Sequence, residues 1–487
     1  MSAVSPTCAS LVPPHPLPPS SRSRQPCRPP SLKLHSLTRS SPCSGIAISG
    51  GGLRASLYGA GTLSALDGRN SSTAGPLLQL ASYLAGLSGG SWTVTSVALN
   101  DLEPIYSLVT GANSSRTGGW QLDRDILAPS GLLGFSDNSN YYSALEDDVR
   151  AKAAAGFPIS ITDLWGRALA YHFLNGTNED NFFSTDAAHD QGTLFSSIRY
   201  TSSFQAGQMP YPILATTSRI NENQQLTNDS TSVIPLENTG FEISPYTFGS
   251  FEATLAAYIP LEYLGTQLSN GQPTNRCVNY FDNAGFAMGV RPFSLSHSLP
   301  DIERIRLTLI RRLARRVRPA SSTPSRRASS APPSRRSSRT CFRPSPTSTR
   351  PRALSPCVPL SRSRAPSLPR TDPGTDSAAS SLPQLVANYP NSFGNFTPNT
   401  GYSFESADEQ ILQVTDGGED GQNVPLMPLL AKARALDAIF AVDGSADTSE
   451  TYANGTSLVA TAQKVELHAH NFTRASSSSF FAPSPPL

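Results

Sequence analysis

Short apolar runs, broken by small and turn-forming residues, fill two stretches of the chain, 44–290 and 385–472. Residues 46–48 predict a short buried strand that runs into Gly50, Gly51 and Gly52. From Arg54 onward, Leu57, Ala60, Gly61 and Leu66 suit a helix packed closely on a sheet. A second small-residue strand begins near Leu80 and runs into Gly86-Leu87-Ser88-Gly89-Gly90, with a helix expected to follow. Residues 164–171 have a helix-like pattern. Residues 410–415 predict a strand that delivers Asp416 into Gly417-Gly418, and 438–442 predict another that ends at Asp443. The fold class expected is α/β, a central mixed sheet with helices on both faces and Ser88 at the C-terminal end of a strand.

The pattern fails elsewhere. Residues 1–43 are rich in Pro, Ser and Arg with no hydrophobic period, and read as a disordered head. At Arg291 the chain turns to Arg, Ser and Pro; 301–317 allows a short basic helix, and low-complexity sequence then runs to about Leu382. Residues 475–487 form a Ser/Pro-rich tail. Residues 44–290 and 383–474 are then two parts of one globular domain, with 291–382 as an insertion. Three readings compete for that insertion: a disordered segment, a basic patch for anionic partners, or non-coding sequence translated by a faulty gene model. Beyond residue 320 its one aromatic is Phe342, and its composition matches that of 1–43, which favours the artefact.

Charge sharpens the division. The formal net charge is +2, but of the 38 Lys and Arg, 19 Arg fall in 291–370 and five basic residues in 1–43, against only Asp301 and Glu303, leaving 14 basic and 34 acidic residues elsewhere. An acidic body argues against nucleic acid as a partner. No run approaches the roughly 18 apolar residues of a membrane-spanning helix, and residues 1–30 lack the apolar core of a secretory leader. Seven N-x-S/T sequons, at Asn70, Asn113, Asn175, Asn228, Asn395, Asn454 and Asn471, all lie in the acidic parts. They favour a secreted or cell-surface protein whose leader is missing from this sequence. Of the six cysteines, Cys8, Cys27, Cys43, Cys341 and Cys357 lie in or beside low-complexity sequence, and none has metal-ligand spacing. No metal and no organic cofactor is expected.

The chemistry centres on three stretches. Gly50-Gly51-Gly52 after a strand allows backbone N–H groups to point at an anion beside a helix start, although a plain strand-to-helix turn has the same look. Gly86-x-Ser88-x-Gly90 after a strand is a nucleophile elbow, in which a tight turn projects the serine Oγ above the sheet. The triple-glycine loop about 36 residues upstream is what acyl transfer needs as an oxyanion donor. Ser91 is a rival nucleophile, but falls in the first turn of the following helix. A serine needs a base. The histidines are His15, His35, His172, His189, His297, His468 and His470. Only His468 and His470 stand late enough in the chain for a Ser-His-Asp hydrolase. The alternative is Asp416 at its double-glycine turn; Asp443, the next carboxylate, reads as structural.

Ser49-Gly50-Gly51-Gly52-Leu53-Arg54-Ala55, Gly86-Leu87-Ser88-Gly89-Gly90-Ser91-Trp92 and Asp416-Gly417-Gly418-Glu419-Asp420-Gly421-Gln422-Asn423-Val424-Pro425-Leu426 together resemble fungal lysophospholipase, or phospholipase B, whose catalytic domain is shared with cytosolic phospholipases. Pro245–Ser250, Pro260–Gly265, Asp282–Phe286 and Phe440–Asp447 look familial as well. The resemblance covers about 44–290 and 385–472 and implies a Ser/Asp dyad without histidine. Ser88 matches the nucleophile, Asp416 the base, Gly51 and Gly52 the oxyanion donors, and Arg54 the residue facing substrate phosphate. It implies hydrolysis of the fatty-acyl ester of lysophospholipids, in micelles or membranes, through an acyl-enzyme. A free aspartate near pKa ~3.9 is a weak base, so such a dyad must work by desolvation and alignment. Two other readings stand beside this one: a Ser-His-Asp lipase using His468 or His470, and a catalytically dead glycoprotein or broken gene product. The sequence departs from the family pattern from Arg291 to near Tyr389, before residue 44, and at its end.

Overall fold

β-Strand and helix patterns of the two globular stretches resolve into one sheet. The structure, a computed structural model, describes residues 42–70, 75–112, 118–131, 134–219, 234–290, 386–468 and 471–472. The head to residue 41, the segment 291–385 and the tail from 473 lie outside the described residues, as do the expected basic helix of 301–317 and His15, His35, His297 and His470.

Among the described residues nine strands form a mixed sheet: β1 (Ser44–Ile48), β2 (Tyr83–Leu87), β3 (Tyr211–Ser218), β4 (Gly240–Ile243), β5 (Thr247–Ser250), β6 (Ala257–Pro260), β7 (Ala387–Pro390), β8 (Ile411–Asp416) and β9 (Ala438–Val442). β9, β1, β2 and β3 run side by side in parallel. β4, β5 and β6 continue from β3 in antiparallel fashion. β8 pairs antiparallel with both β3 and β7. Five helices exceed ten residues among those described: α1 (Gly52–Leu66), α2 (Gly89–Leu99), α3 (Phe135–Ala154), α4 (Ile161–Phe173) and α5 (Thr456–Leu467).

Alternation along the central strands sends side chains to opposite faces of the sheet. Ile48 points at α1, where a Cβ on Gly59 would stand 2.5 Å from Ile48 Cγ2. Ala47, Ala85 and Ile213 point the other way, into a cluster with Val424, Leu426, Leu429 and, from α5, Val465. Helices therefore cover both faces, as the strand and helix order predicts. The face that α1 buries is Gly52, Ala55, Ser56, Gly59, Ala60 and Leu63, at three- and four-residue spacing. The sequence pattern had put Leu57 and Gly61 there beside Ala60. Leu57 is instead 46% exposed, and nothing lies within 4 Å of a Cβ on Gly61. Helix and strand backbones approach so closely that only small residues fit between them.

α2 is buried along nearly its whole length and so shows no amphipathic stripe; its Trp92 packs on Trp165 and Phe173. The second stretch is joined to the first by strand pairing and by aromatic packing. Tyr389 on β7 lies against Phe248 and Phe286 (ring centroids 5.7 and 5.1 Å apart), and Phe393 lies against Phe241 at 5.9 Å. Each such fully buried side chain contributes about 1.5–3 kcal/mol of transfer free energy. All described residues belong to one compact unit.

Candidate active site

At the end of β2 the backbone of Ser88 takes φ 51°, ψ −120°, outside the regions open to most L-residues, and α2 begins at the next residue. Close approach on every side imposes this turn. A Cβ on Gly86 would lie 2.6 Å from the carbonyl oxygen of Gly90, and one on Gly90 would overlap the carbonyl of Ile48. Ser88 is 4% exposed. Ser91 falls in the first turn of α2 and is buried.

Strand pairing places Asp416 opposite this turn. β4 flanks β3 at Leu214–Thr217. On the other side β2 pairs with Tyr211–Ala215, and where β2 stops, β8 takes over at Thr216–Ser218. β2 is parallel and β8 antiparallel to β3, so the two strands share one lane and run toward each other. Their last residues, Leu87 and Asp416, pair with the consecutive residues Ala215 and Thr216. Neighbours along a strand are about 3.3 Å apart, so the two tips meet head on. A Cβ on Gly417 would stand 2.9 Å from Leu87 Cδ1, and one on Gly418 3.5 Å from Leu87 Cδ2. Asp416 is 7% exposed, and its Oδ1 accepts a hydrogen bond from Gly418 N–H at 2.9 Å.

The glycine loop closes the third side. Gly51 (φ 128°) and Gly52 (φ 64°) adopt positive-φ backbone that favours glycine and start α1. The first N–H groups of α1 and of α2 have no partner within their own helices and so are available to an anion. Ser56 Oγ ties the two helix starts together, lying 2.7 Å from the Gly89 carbonyl and 3.0 Å from that of Gly52. Residues of the second stretch hold the loop from behind: Ser49 N–H donates to the Val442 carbonyl (3.1 Å) and Gly50 N–H to the Asn423 carbonyl (2.9 Å). Ser49 Oγ accepts from Gly444 N–H at 2.7 Å. Arg54 is exposed beside this loop. Its Nη1 donates to the Thr451 carbonyl at 2.8 Å, and a Cβ on Gly51 would stand 3.0 Å from its Nη2.

Ser88, Asp416, Gly51, Gly52 and Arg54 thus converge, and three further residues that no sequence signal singled out help to seat them. Ser56 is one. Asn423, inside a familiar motif but with no assigned role, donates through Nδ2 to Gly50 O (3.2 Å) and to Ser445 Oγ (2.6 Å). Its Oδ1 faces Gly50 and Gly418 together. Glu419 is the third. Burial, with the charge of Asp416 adding to it, pushes its carboxyl up to about 7, against the pull of the Thr415 Oγ1 hydrogen bond (2.8 Å). A carboxyl raised in the fold from 4.5 to about 7 supplies stability that is present below its unfolded value and is lost as pH rises through its folded value. Stability of Glu419→Gln relative to the parent should therefore rise between pH 4.5 and about 7 and level off above, read as urea midpoints across pH. A flat difference over that window would refute the assignment.

The described histidines go elsewhere. His172 is buried with Nδ1 2.6 Å from the Gln121 carbonyl, and burial pushes it down to about 4. His189 stacks on Tyr171 and bonds Thr177 and Ser184. His468, buried, lies 3.4 Å from Glu252 Oε2, and burial and then Lys464 push it down to about 4. Asp443 Oδ1 accepts from Ser445 N–H, in line with a structural part. Among the sequons, Asn70, Asn175, Asn395 and Asn454 are exposed, and Asn113 and Asn228 lie outside the described residues. Asn471 is half-buried and donates through Nδ2 to the Phe251 carbonyl.

The family model described as "Lysophospholipase catalytic domain" matches residues 44–340 and 374–477, extending into the Arg/Ser/Pro-rich segment that the sequence pattern sets apart. Probable lysophospholipase 2 of Schizosaccharomyces pombe is 34% identical over 432 residues, covering 87% of this chain and 54% of its own. Lysophospholipase 1 of Aspergillus fumigatus is 34% identical over 433 residues (87% and 56%), and lysophospholipase 1 of Saccharomyces cerevisiae 34% over 425 (86% and 53%). The chain spans about half the length of the relatives it matches. Among solved structures, human GIVD cytosolic phospholipase A2 matches with a TM-score of 0.50 at 17% identity, over 88% of this chain and 48% of that one. That likeness speaks for the fold.

Proposed function

The chain belongs to the lysophospholipase catalytic-domain family, and from that premise we propose that it hydrolyses the fatty-acyl ester of lysophospholipids with Ser88 as nucleophile and Asp416 as base. The observation that carries this reading is the shared lane on β3, where the strand ending before Ser88 meets the strand ending at Asp416. Ser88 Oγ attacks the acyl carbonyl carbon while Asp416 accepts the hydroxyl proton. The N–H groups of Gly51 and Gly52, with that of Gly89 after the nucleophile, stabilise the oxyanion. Collapse breaks the ester C–O bond, and Asp416 returns the proton to the leaving glycerol oxygen. Water then attacks the acyl-enzyme with Asp416 again as base, releasing the fatty acid and restoring Ser88.

Arg54 suits the headgroup phosphate, because a guanidinium offers paired donors and among the described residues this one forms no ion pair. The substrate is presented in micelles or membranes; no helix among the described residues is long and apolar enough to cross a bilayer. Cys43 and Cys277 both stand in disulfides, which together with the exposed sequons supports a secreted or cell-surface setting.

Labelling with a fluorophosphonate tests the reading. The adduct is expected on Ser88 and not on Ser91, and the labelled band of native protein should lose mass on removal of N-linked glycans. A folded sample that takes no label, or takes it elsewhere, would sink the enzyme reading; an unchanged mass would sink the glycoprotein one.

A further inference from the structure

Among the described residues the dyad leaves two buried cations without a part to play: Arg434, paired with Glu242, and Lys464. Lys464, on α5, is 0% exposed, a position lysine tolerates only when its charge is paired. Its Nζ donates to the Asn238 carbonyl (2.8 Å) and to Asp420 Oδ2 (3.1 Å), and lies 3.3 Å from Glu252 Oε1. Three acceptors on three separate stretches of chain match the three N–H donors of an ammonium.

Asp420 is where this cluster meets the site. It closes the turn Gly417–Asp420, which begins at Asp416 and whose Gly418 N–H is held by the Asp416 carboxylate. Asp420 also binds Gln422, accepting from its backbone N–H through Oδ1 (3.0 Å) and from Nε2 through Oδ2 (2.6 Å). The next residue, Asn423, grips Gly50 by both its N–H and its carbonyl. One carboxylate therefore ties the turn that aims Asp416 to the residue that seats the glycine loop, and Lys464 fixes that carboxylate.

We propose that Lys464 is a positioning residue that, acting through Asp420, sets both the direction of the Asp416 carboxylate and the seat of the oxyanion loop. The inference rests on the Ser88/Asp416 reading. Stability alone does not account for the charge, since a buried ion pair replaced by well-packed apolar residues is often as stable or more so. What three fixed acceptors around one ammonium supply is geometry.

The deciding variant is Asp420→Asn in the full chain, assayed on lysophosphatidylcholine micelles. It keeps an Oδ1 that accepts from Gln422 N–H, and the Lys464–Glu252 pair, while putting an amide nitrogen, which cannot accept, where Oδ2 took the bonds of Lys464 and Gln422 Nε2. Expected is a fall in kcat of about 100-fold, the cost of roughly 1 Å of misplacement, with KM within about twofold, and a lowered urea midpoint with the fold retained, because the buried Lys464 loses one of its two carboxylates. Lys464→Met should lower kcat at least as far. An unchanged kcat in folded Asp420→Asn overturns the proposal, and so does loss of the fold in that variant, which would make the tie a structural one. Full activity in Ser88→Ala would instead sink the reading of the site and the proposal with it, so the two failures are told apart.

Discussion

Asp416→Asn is expected to lower kcat on lysophosphatidylcholine by at least about 10⁴-fold, the scale seen when a catalytic carboxylate or base is removed from a serine hydrolase. The fold has no reason to suffer. The backbone of residue 416 keeps its pairing with Thr216, and an asparagine Oδ1 still accepts from Gly418 N–H as Asp416 Oδ1 does at 2.9 Å. What is lost is the site that takes the proton from Ser88, and KM should change little because that transfer matters only in the transition state. His468→Ala is the contrasting variant. His468 faces Glu252 at 3.4 Å and stands beside Lys464, not at the elbow, so it should cost some stability and leave most of kcat. Initial rates against substrate concentration, with urea midpoints, read both effects. Hydrolysis lost in His468→Ala and retained in Asp416→Asn would hand the site to a Ser-His-Asp mechanism.

What was legible in the sequence is what is written in contiguous residues. Strands β1, β2, β8 and β9, the glycine loop, the elbow at Ser88 and the turn at Asp416 each carry their own local pattern, because close backbone approach demands glycine at fixed offsets. The lane on β3 was not legible. A strand pattern at Ile411–Asp416 says nothing about which neighbour it pairs with or in which direction, and the head-to-head meeting of β2 and β8 depends on both. Ser56, Asn423 and Lys464 were missed for a related reason: their partners come from separate elements, and for Asn423 and Lys464 lie 373 and 226 residues away. The buried face of α1 was read correctly at Ala60 and misplaced at Leu57 and Gly61, because the rotation of a helix about its axis is set by the strand it packs on. Where two backbones nearly touch, the signal is the absence of bulk, and Ser56, Gly59 and Ala60 carry it.

That closeness makes a methyl group at residue 89 nearly as damaging as a change in the chemistry itself. A Cβ on Gly89 would overlap the carbonyl oxygen of Gly52 and stand 2.9 Å from Gly52 N. Both obstacles are backbone and cannot swing aside, so either the start of α2 or the glycine loop must retreat by about 1 Å to reach ordinary contact. Either movement loosens the Ser56 tie across the two carbonyls and carries the N–H donors away from the oxyanion. Loss of one such donor costs about 10²–10³ in kcat, and misplacement adds to it, so Gly89→Ala should lose about 10³-fold in kcat and label with fluorophosphonate correspondingly slowly. Gly61→Ala makes the same substitution on α1 where nothing lies within 4 Å of the new carbon. It should leave kcat alone and stabilise the fold by up to about 1 kcal/mol through helix propensity. If Gly89→Ala labels and turns over within threefold of the parent, the glycine loop is not seated on the elbow, and the oxyanion donors must be sought elsewhere.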